Sequence, residues 1–273
     1  MDLMAAPTVL ERVLPVARLE GSRTALAASD RYAVVASWGP GPRVSRSLAE
    51  MVVALETQGY SVVVVRASED DSPLDWSGLP ENDALVVRKP NIGYDFGSWA
   101  TAFELFPEIR RAPYVLITND SLVGPFASIE PLVRDFEDSF YDVWGSTWTT
   151  QFMPHLQSFF VGFRGGILED HVLRKFWHDL PDQTVKSKII HMYELGLNRL
   201  LQGEGYVTGA WLDYNLVVRY SQNPVILGWR RMVELGFPFV KRELLRDPSI
   251  VGDGRDVPDV IQRTYGVDPR EWM

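Results

Sequence analysis

The chain is expected to be an α/β protein with a mostly parallel central sheet flanked by helices. Three observations predict this. Short, fully apolar runs recur through the first half of the chain. A helix-periodic stretch or a turn-rich break separates each run from the next, the pattern of βαβ units. Hydrophobic residues make up 46% and charged residues 23% of 273 residues, a composition that can bury a large core.

Residues 8–19 have the spacing of a short amphipathic helix within an N-terminal extension, residues 1–30. Residues 32–37 are a continuous apolar run of the kind buried on both faces of a sheet, closed by the breaker Trp38-Gly39-Pro40-Gly41-Pro42. A helix is expected over 45–58, where Leu48, Val52 and Leu55 recur on one face and Gly59 stops the turn. Strands follow at 60–66 and 84–88, a helix at 96–105 and a fourth strand at 114–118. Ligands in such sheets sit beyond the carboxyl ends of the strands. The loops 37–43, 89–97 and 119–125 are therefore expected to converge on one edge. Strands at 143–147 and 158–164 and helices at 168–180 and 186–202 follow. No internal repeat or low-complexity linker interrupts the chain, so one domain, 1–273, is expected.

Lysine and arginine number 27 against 36 aspartates and glutamates, a net charge of −9 that argues against coating a nucleic acid. Cysteine is absent, which excludes disulfides, thiolate metal sites and cysteine nucleophiles. No apolar run of about 18 residues is present to span a bilayer. The start of the chain lacks the positive region of a secretory signal. A cytoplasmic protein is the simplest expectation, with peripheral membrane contact left open. Nine tryptophans hint at a sugar or ligand site.

Four segments could carry chemistry. In Asn91-Ile92-Gly93-Tyr94-Asp95-Phe96-Gly97-Ser98-Trp99, two glycines permit close backbone approach to a ligand and Ser98 could cap a helix. Asp95 either caps that helix or accepts hydrogen bonds from a ribose or base. Asp120, at the end of a strand, either starts a turn or holds a hard cation bridging two phosphates. Glu194 shares a helical face with Leu197 and Leu201. It is either a carboxylate with a raised pKa suited to general base work or a surface residue near a helix start. Lys241 and Arg242 either neutralise a diphosphate or are solvated helix charges. Of the four histidines, His155 precedes a strand, and none has metal-ligand spacing.

Taken together, the segments resemble the rhamnan synthesis protein F family of bacterial polysaccharide glycosyltransferases. The pieces are RKPNIGYDFGSW (88–99), LITNDSLVGP (116–125), Val143-Trp144-Gly145, HLQSFFVGF (155–163), Phe176-Trp177, Tyr193-Glu194, Asn223-Pro224 and GFPFVKRELLR (236–246). The resemblance implies a single GT-A-like (Rossmann-like) domain. Residues 32–125 would form its nucleotide-sugar-binding half and 140–247 its acceptor and catalytic half. It implies inverting transfer of a sugar, L-rhamnose from dTDP-L-rhamnose, to a glycan or lipid-linked glycan acceptor. Another donor such as UDP-galactofuranose, or a non-catalytic sugar-nucleotide-binding module, are the alternatives. Glu194 would be the base. Ser37, Trp38, Arg88, Asn91, Gly93, Asp95, Asp120, Lys241 and Arg242 would bind the donor. Trp144, His155 and Gln157 would hold the acceptor. The related Asp-x-Asp motif reads Thr118-Asn119-Asp120 here. Asp120 is thus the residue left to hold a Mg²⁺ or Mn²⁺ cofactor.

Overall fold

A computed structural model describes residues 7–21 and 26–273. Its strands are β1 (Arg18–Glu20), β2 (Arg31–Trp38), β3 (Ser61–Ala67), β4 (Leu85–Lys89), β5 (Tyr114–Asn119), β6 (Leu122–Val123), β7 (Val143–Thr149), β8 (His155–Leu156), β9 (Phe160–Arg164), β10 (Thr208–Leu212) and β11 (Val240–Lys241). Nine of them form one sheet in the order β1-β4-β3-β2-β5-β9-β7-β10, with β8 on the side of β7. Both halves of the chain thus build the same sheet. β6 and β11 pair separately.

The helices are α1 (Val9–Val13), α2 (Arg46–Thr57), α3 (Tyr94–Leu105), α4 (Pro107–Arg111), α5 (Glu130–Asp138), α6 (His171–His178), α7 (Lys186–Ile189), α8 (Leu195–Gly203), α9 (Pro224–Leu227), α10 (Trp229–Glu234), α11 (Arg242–Arg246) and α12 (Val257–Tyr265).

Four strands of the first half, β4, β3, β2 and β5, are mutually parallel, and the short edge strand β1 pairs antiparallel with β4. The second half departs from the expected parallel order. β9 runs antiparallel to both β5 and β7, and only the β7–β10 pair is parallel. The stretch joining β7 to β9 is too short for a crossover helix, so the chain returns antiparallel. The sheet is therefore mixed.

The apolar runs of β2 and β3 are continuous because both faces are covered. Tyr32, Val34, Ala36, Val63 and Val65 join the core beneath α1, α3 and α6. Ala33, Val35, Val62 and Val64 join the opposite core with α2 and α5. Leu48, Val52 and Leu55 of α2 are all buried, and Gly59 (φ 82°) ends that helix in the left-handed region. The C-terminal helices pack a third core around Trp229, Leu244 and Ile261.

The N-terminal stretch differs from expectation. Its helix covers only Val9–Val13, capped by Thr8 and Glu11 in a reciprocal capping box, and β1 follows at Arg18. Pro15 stops the helix, because its ring cannot follow a helical turn. Val9, Leu10 and Val13 are buried, so α1 packs into the core; residues 1–6 and 22–25 of the expected N-terminal extension lie outside the described residues. α5, β10 and the C-terminal helices were not legible in the sequence.

Five of the nine tryptophans, Trp99, Trp144, Trp177, Trp229 and Trp272, are buried core rings. The abundance of tryptophan is thus mainly structural. Trp76, Trp148 and Trp211 are partly buried, and Trp38 is half exposed at the end of β2.

Candidate active site

The parallel strands end on a cleft of about 880 Å³. Trp38, Asp95, Asp120, Gln157, Glu194 and the pair Lys241–Arg242 all line it. A second cavity of about 350 Å³ lies beside it, lined by Ser37, Trp38, Asn91, Tyr94, Asp95 and Ser98 among others. Trp38 and Asp95 belong to both.

Strand register brings these residues together. Ser37 pairs with Arg66 across β2–β3, and Ala36 pairs with Asn119 across β2–β5. Ser37 Oγ donates to Asp120 Oδ2 at 2.8 Å and accepts from Arg66 Nη1 at 2.7 Å. The Trp38 amide donates to the same Asp120 oxygen at 3.0 Å. The β6–β11 pair sets Lys241 opposite Leu122, two residues past Asp120. Lys241 Nζ then lies 2.8 Å from Ser121 Oγ and 4.1 Å from the Phe159 ring centre. Arg242 Nε donates to the Asp120 carbonyl at 2.8 Å.

The loop before α3 is shaped by its own backbone. Gly93 (φ 77°) and Tyr94 (φ 52°) are left-handed in succession, and this sharp turn delivers Asp95 to the cleft. Lys89 is buried and donates to the carbonyls of Pro90 (3.0 Å) and Ile92 (2.7 Å), and burial lowers its pKa to about 8. Asp95 does not cap α3. Its Oδ2 accepts from Asn119 Nδ2 at 2.8 Å. Ser98 is no cap either; it lies inside α3 and its hydroxyl donates to the Tyr94 carbonyl.

Burial, reinforced by the negative charge of Asp120, pushes the Asp95 pKa up to about 7. The folded chain then holds the Asp95 proton more tightly than the unfolded chain does. Stability from this group is complete below the ordinary aspartate range, falls as pH rises towards about 7, and levels off above it. Asp95→Asn keeps an acceptor for Asn119 and removes the ionisation. The variant is expected to match the parent near pH 4 and to exceed its stability by about 1–3 kcal/mol above pH 7. Denaturant unfolding across this range checks it; parallel curves for the two proteins would refute it.

Glu194 reaches the cleft from the other side. The helical run of residues 186–203 is not uniform: Ile190–Glu194 forms a π-helical turn between α7 and α8. Such turns displace side chains from the α-helical register and are frequent at functional positions. Leu197 and Leu201 are buried, whereas Glu194, one turn earlier on their face, opens to the cleft. Glu194 Oε1 accepts from the Ser158 amide at 2.9 Å and its hydroxyl at 3.0 Å. Gln157 lines the same wall, with Oε1 accepting from Thr147 Oγ1 at 2.9 Å and Nε2 donating to Asn223 Oδ1 at 3.3 Å.

Four expected site residues are placed elsewhere. Arg88 is buried against β1, paired with Glu20 at 2.9 Å and donating to the Ser72 and Asp70 carbonyls. Its register partner Arg66 occupies the cleft side instead. Gly93 does not make room for a ligand. A Cβ there would meet the Val9 side chain at 2.7 Å and Gly97 Cα at 2.9 Å, so the glycine admits α1. Gly97 is crowded by Ile92 O and the same Val9. Trp144 is fully buried between Phe136 and Phe160, with Nε1 donating to Asp135 Oδ2 at 2.7 Å. His155 is 3% exposed, its Nδ1 lying 2.7 Å from the Met153 carbonyl. Trp144 sits in a strand covered on both faces, with Val143 in one core and Trp144 in the other, and both residues of β8 are buried; a motif match does not reveal that enclosure.

Three residues that the sequence reading did not single out belong to the site. Arg66 lines the cleft and is buried; it follows four valines near the end of β3, a polar anomaly that was the available signal. Ser158 holds Glu194. Asn198 is buried one turn after Glu194, donating to the Glu194 carbonyl at 3.0 Å and accepting from the Leu156 amide at 2.9 Å. Its polarity within a leucine-rich helix was again legible.

Residues 74–268 match the family profile of rhamnan synthesis protein F. The chain belongs to this family. Asp95, Asp120, Glu194, Lys241 and Arg242 lie inside the matched region, while Ser37, Trp38 and Arg66 precede it. The chain is similar to virulence protein VirA of Vibrio anguillarum, 29% identical over 195 residues, covering 60% of this chain and 62% of VirA. It is also similar to the uncharacterized protein y4gN of Sinorhizobium fredii, 26% identical over 157 residues, covering 56% of this chain and 41% of that protein. The chain thus spans less than two thirds of the length of either relative. The family takes its name from the synthesis of rhamnan, a polysaccharide. Among the described residues, no helix is long and apolar enough to cross a membrane.

Proposed function

We propose that the protein is an inverting glycosyltransferase of GT-A type. It would move a sugar from a nucleoside diphosphate donor, L-rhamnose from dTDP-L-rhamnose, to a glycan or lipid-linked glycan acceptor of the bacterial surface. One observation carries this reading: Asp95, Asp120, Lys241, Arg242 and Glu194 come from distant stretches yet line a single cleft at the strand ends. The family name supports the product class. The parallel order β4-β3-β2-β5, followed by the antiparallel β9, supports the fold type.

The nucleoside would occupy the smaller cavity, between the Trp38 and Tyr94 rings, with Asn91 and Asp95 offering polar contacts to base or ribose. The diphosphate would lie beside Asp120, Lys241 and Arg242. The acceptor would approach along Gln157, Ser158 and Asn223. Glu194 would take the proton of the acceptor hydroxyl as that oxygen bonds to the anomeric carbon. The bond from that carbon to the diphosphate oxygen breaks, and the diphosphate leaves with the electron pair.

The test is incubation with dTDP-L-rhamnose and a rhamnan oligosaccharide, followed by NMR of the product linkage. Transfer with inverted anomeric configuration is expected. Transfer from UDP-galactofuranose in place of dTDP-L-rhamnose would reassign the donor. Nucleotide binding without transfer to any acceptor would reduce the protein to a binding module.

A further inference from the structure

The carboxylate at the end of β5 stands among cations. In a chain of net charge −9, five lysines and arginines line the cleft against four carboxylates. Three of them, Arg66, Lys241 and Arg242, adjoin Asp120 or its immediate neighbours. Arg66 reaches it through the shared Ser37 hydroxyl, Arg242 touches its carbonyl, and Lys241 touches the next residue, Ser121. A divalent cation placed at Asp120 would meet these three positive charges at close range.

The donor set there also suits a metal poorly. Asp120 Oδ2 already accepts from Ser37 and Trp38. Thr118, where the first aspartate of an Asp-x-Asp motif would stand, is fully buried and its hydroxyl donates to the Phe159 carbonyl at 2.8 Å. Asn119 turns its amide nitrogen to Asp95 and its oxygen to Ser121. Among the described residues, no three histidine, aspartate or glutamate side chains converge as metal ligands.

Arg66, by contrast, is fixed in place beside the cleft. The Arg66 guanidinium is packed under the 38–43 loop, donating to the Gly41 carbonyl at 3.0 Å. Gly39 is what allows this, since a Cβ there would lie 1.9 Å from Arg66 Nη2. Arg66 Nε is buried without a hydrogen-bond partner among the described residues. Holding a buried guanidinium with an unmet donor is costly unless a compensating negative group comes near.

We propose that Arg66, Lys241 and Arg242 stabilise the departing nucleoside diphosphate in place of a divalent metal, an inference that rests on the donor reading above. As the anomeric C–O bond breaks, the negative charge gathering on the diphosphate is met by fixed guanidinium and ammonium groups. Lys241 and Arg242 are the ones that touch the diphosphate. Arg66, behind Ser37, holds Asp120 and adds its field.

Calorimetric titration of the whole chain with dTDP and with UDP, first in excess EDTA and then with MgCl₂ or MnCl₂, tests this. Binding of at least one nucleotide in EDTA is expected, changed by no more than about threefold on adding metal. Lys241→Met and Arg242→Met are each expected to weaken that binding by roughly tenfold or more. Binding that requires metal, or variants that bind as tightly as the parent, would overturn the inference and leave the transferase reading standing. If neither nucleotide binds under any condition, both fall together. Thermal melting confirms that each variant is folded; should Arg242→Met not fold, because its Nε supports the Asp120 carbonyl, Lys241→Met decides alone.

Discussion

Glu194→Gln is expected to lower the turnover number for sugar transfer by on the order of 10²-fold or more, with little change in donor KM. The substitution is close to isosteric. The amide oxygen of glutamine can still accept from the Ser158 amide and hydroxyl, the two contacts that position the carboxylate. Asn198 grips the Glu194 carbonyl rather than its side chain, so the π-helical turn is undisturbed. The variant should therefore melt like the parent and bind nucleotide like the parent. Only the capacity to accept a proton is gone, and under the proposed mechanism the acceptor hydroxyl must then attack unassisted. The measurement is initial-rate transfer from radiolabelled donor, with nucleotide affinity determined in parallel. Near-normal turnover would refute the base role and leave the fold and the donor site untouched.

Trp144→Ala is expected to destabilise the fold by about 3–5 kcal/mol, the usual cost of deleting a fully buried aromatic ring. The ring packs against Phe136 and Phe160, and its Nε1 donates to Asp135, tying β7 to α5. Trp144→Phe fills most of that volume and forfeits the hydrogen bond, so a loss of about 1 kcal/mol is expected. The readout is the denaturant midpoint at constant slope. If Trp144 instead served the acceptor, as the motif resemblance implied, both variants would melt normally and lose acceptor affinity. That pattern would contradict the burial described here.

The placement of the candidate site was legible in the sequence to the extent that it depends on strand ends. Ser37, Trp38 and Asp120 terminate apolar runs in parallel register, and that register alone places them at one edge. Asp95 lies two residues after Gly93, a glycine that marks the turn into a helix. Arg88 shows where this reasoning stops. It also terminates a parallel strand, yet β1 pairs with β4 and its Glu20 draws the guanidinium away. A strand of three residues, ending well before β4 begins, gives no local sign of that partner.

The alternation of buried strands and helices in the first half was decided by the sequence, because the hydrophobic period is a property of neighbouring residues. The parallel order of that half followed, since crossover helices permit little else. Tertiary structure alone decided the antiparallel insertion of β9, the pairing of β11 with β6 that carries Lys241 to Asp120, and the π turn that opens Glu194 to the cleft. Each of these joins residues far apart in the chain or breaks a local period. Their geometry is set by burial and pairing energies that no window of neighbouring residues contains.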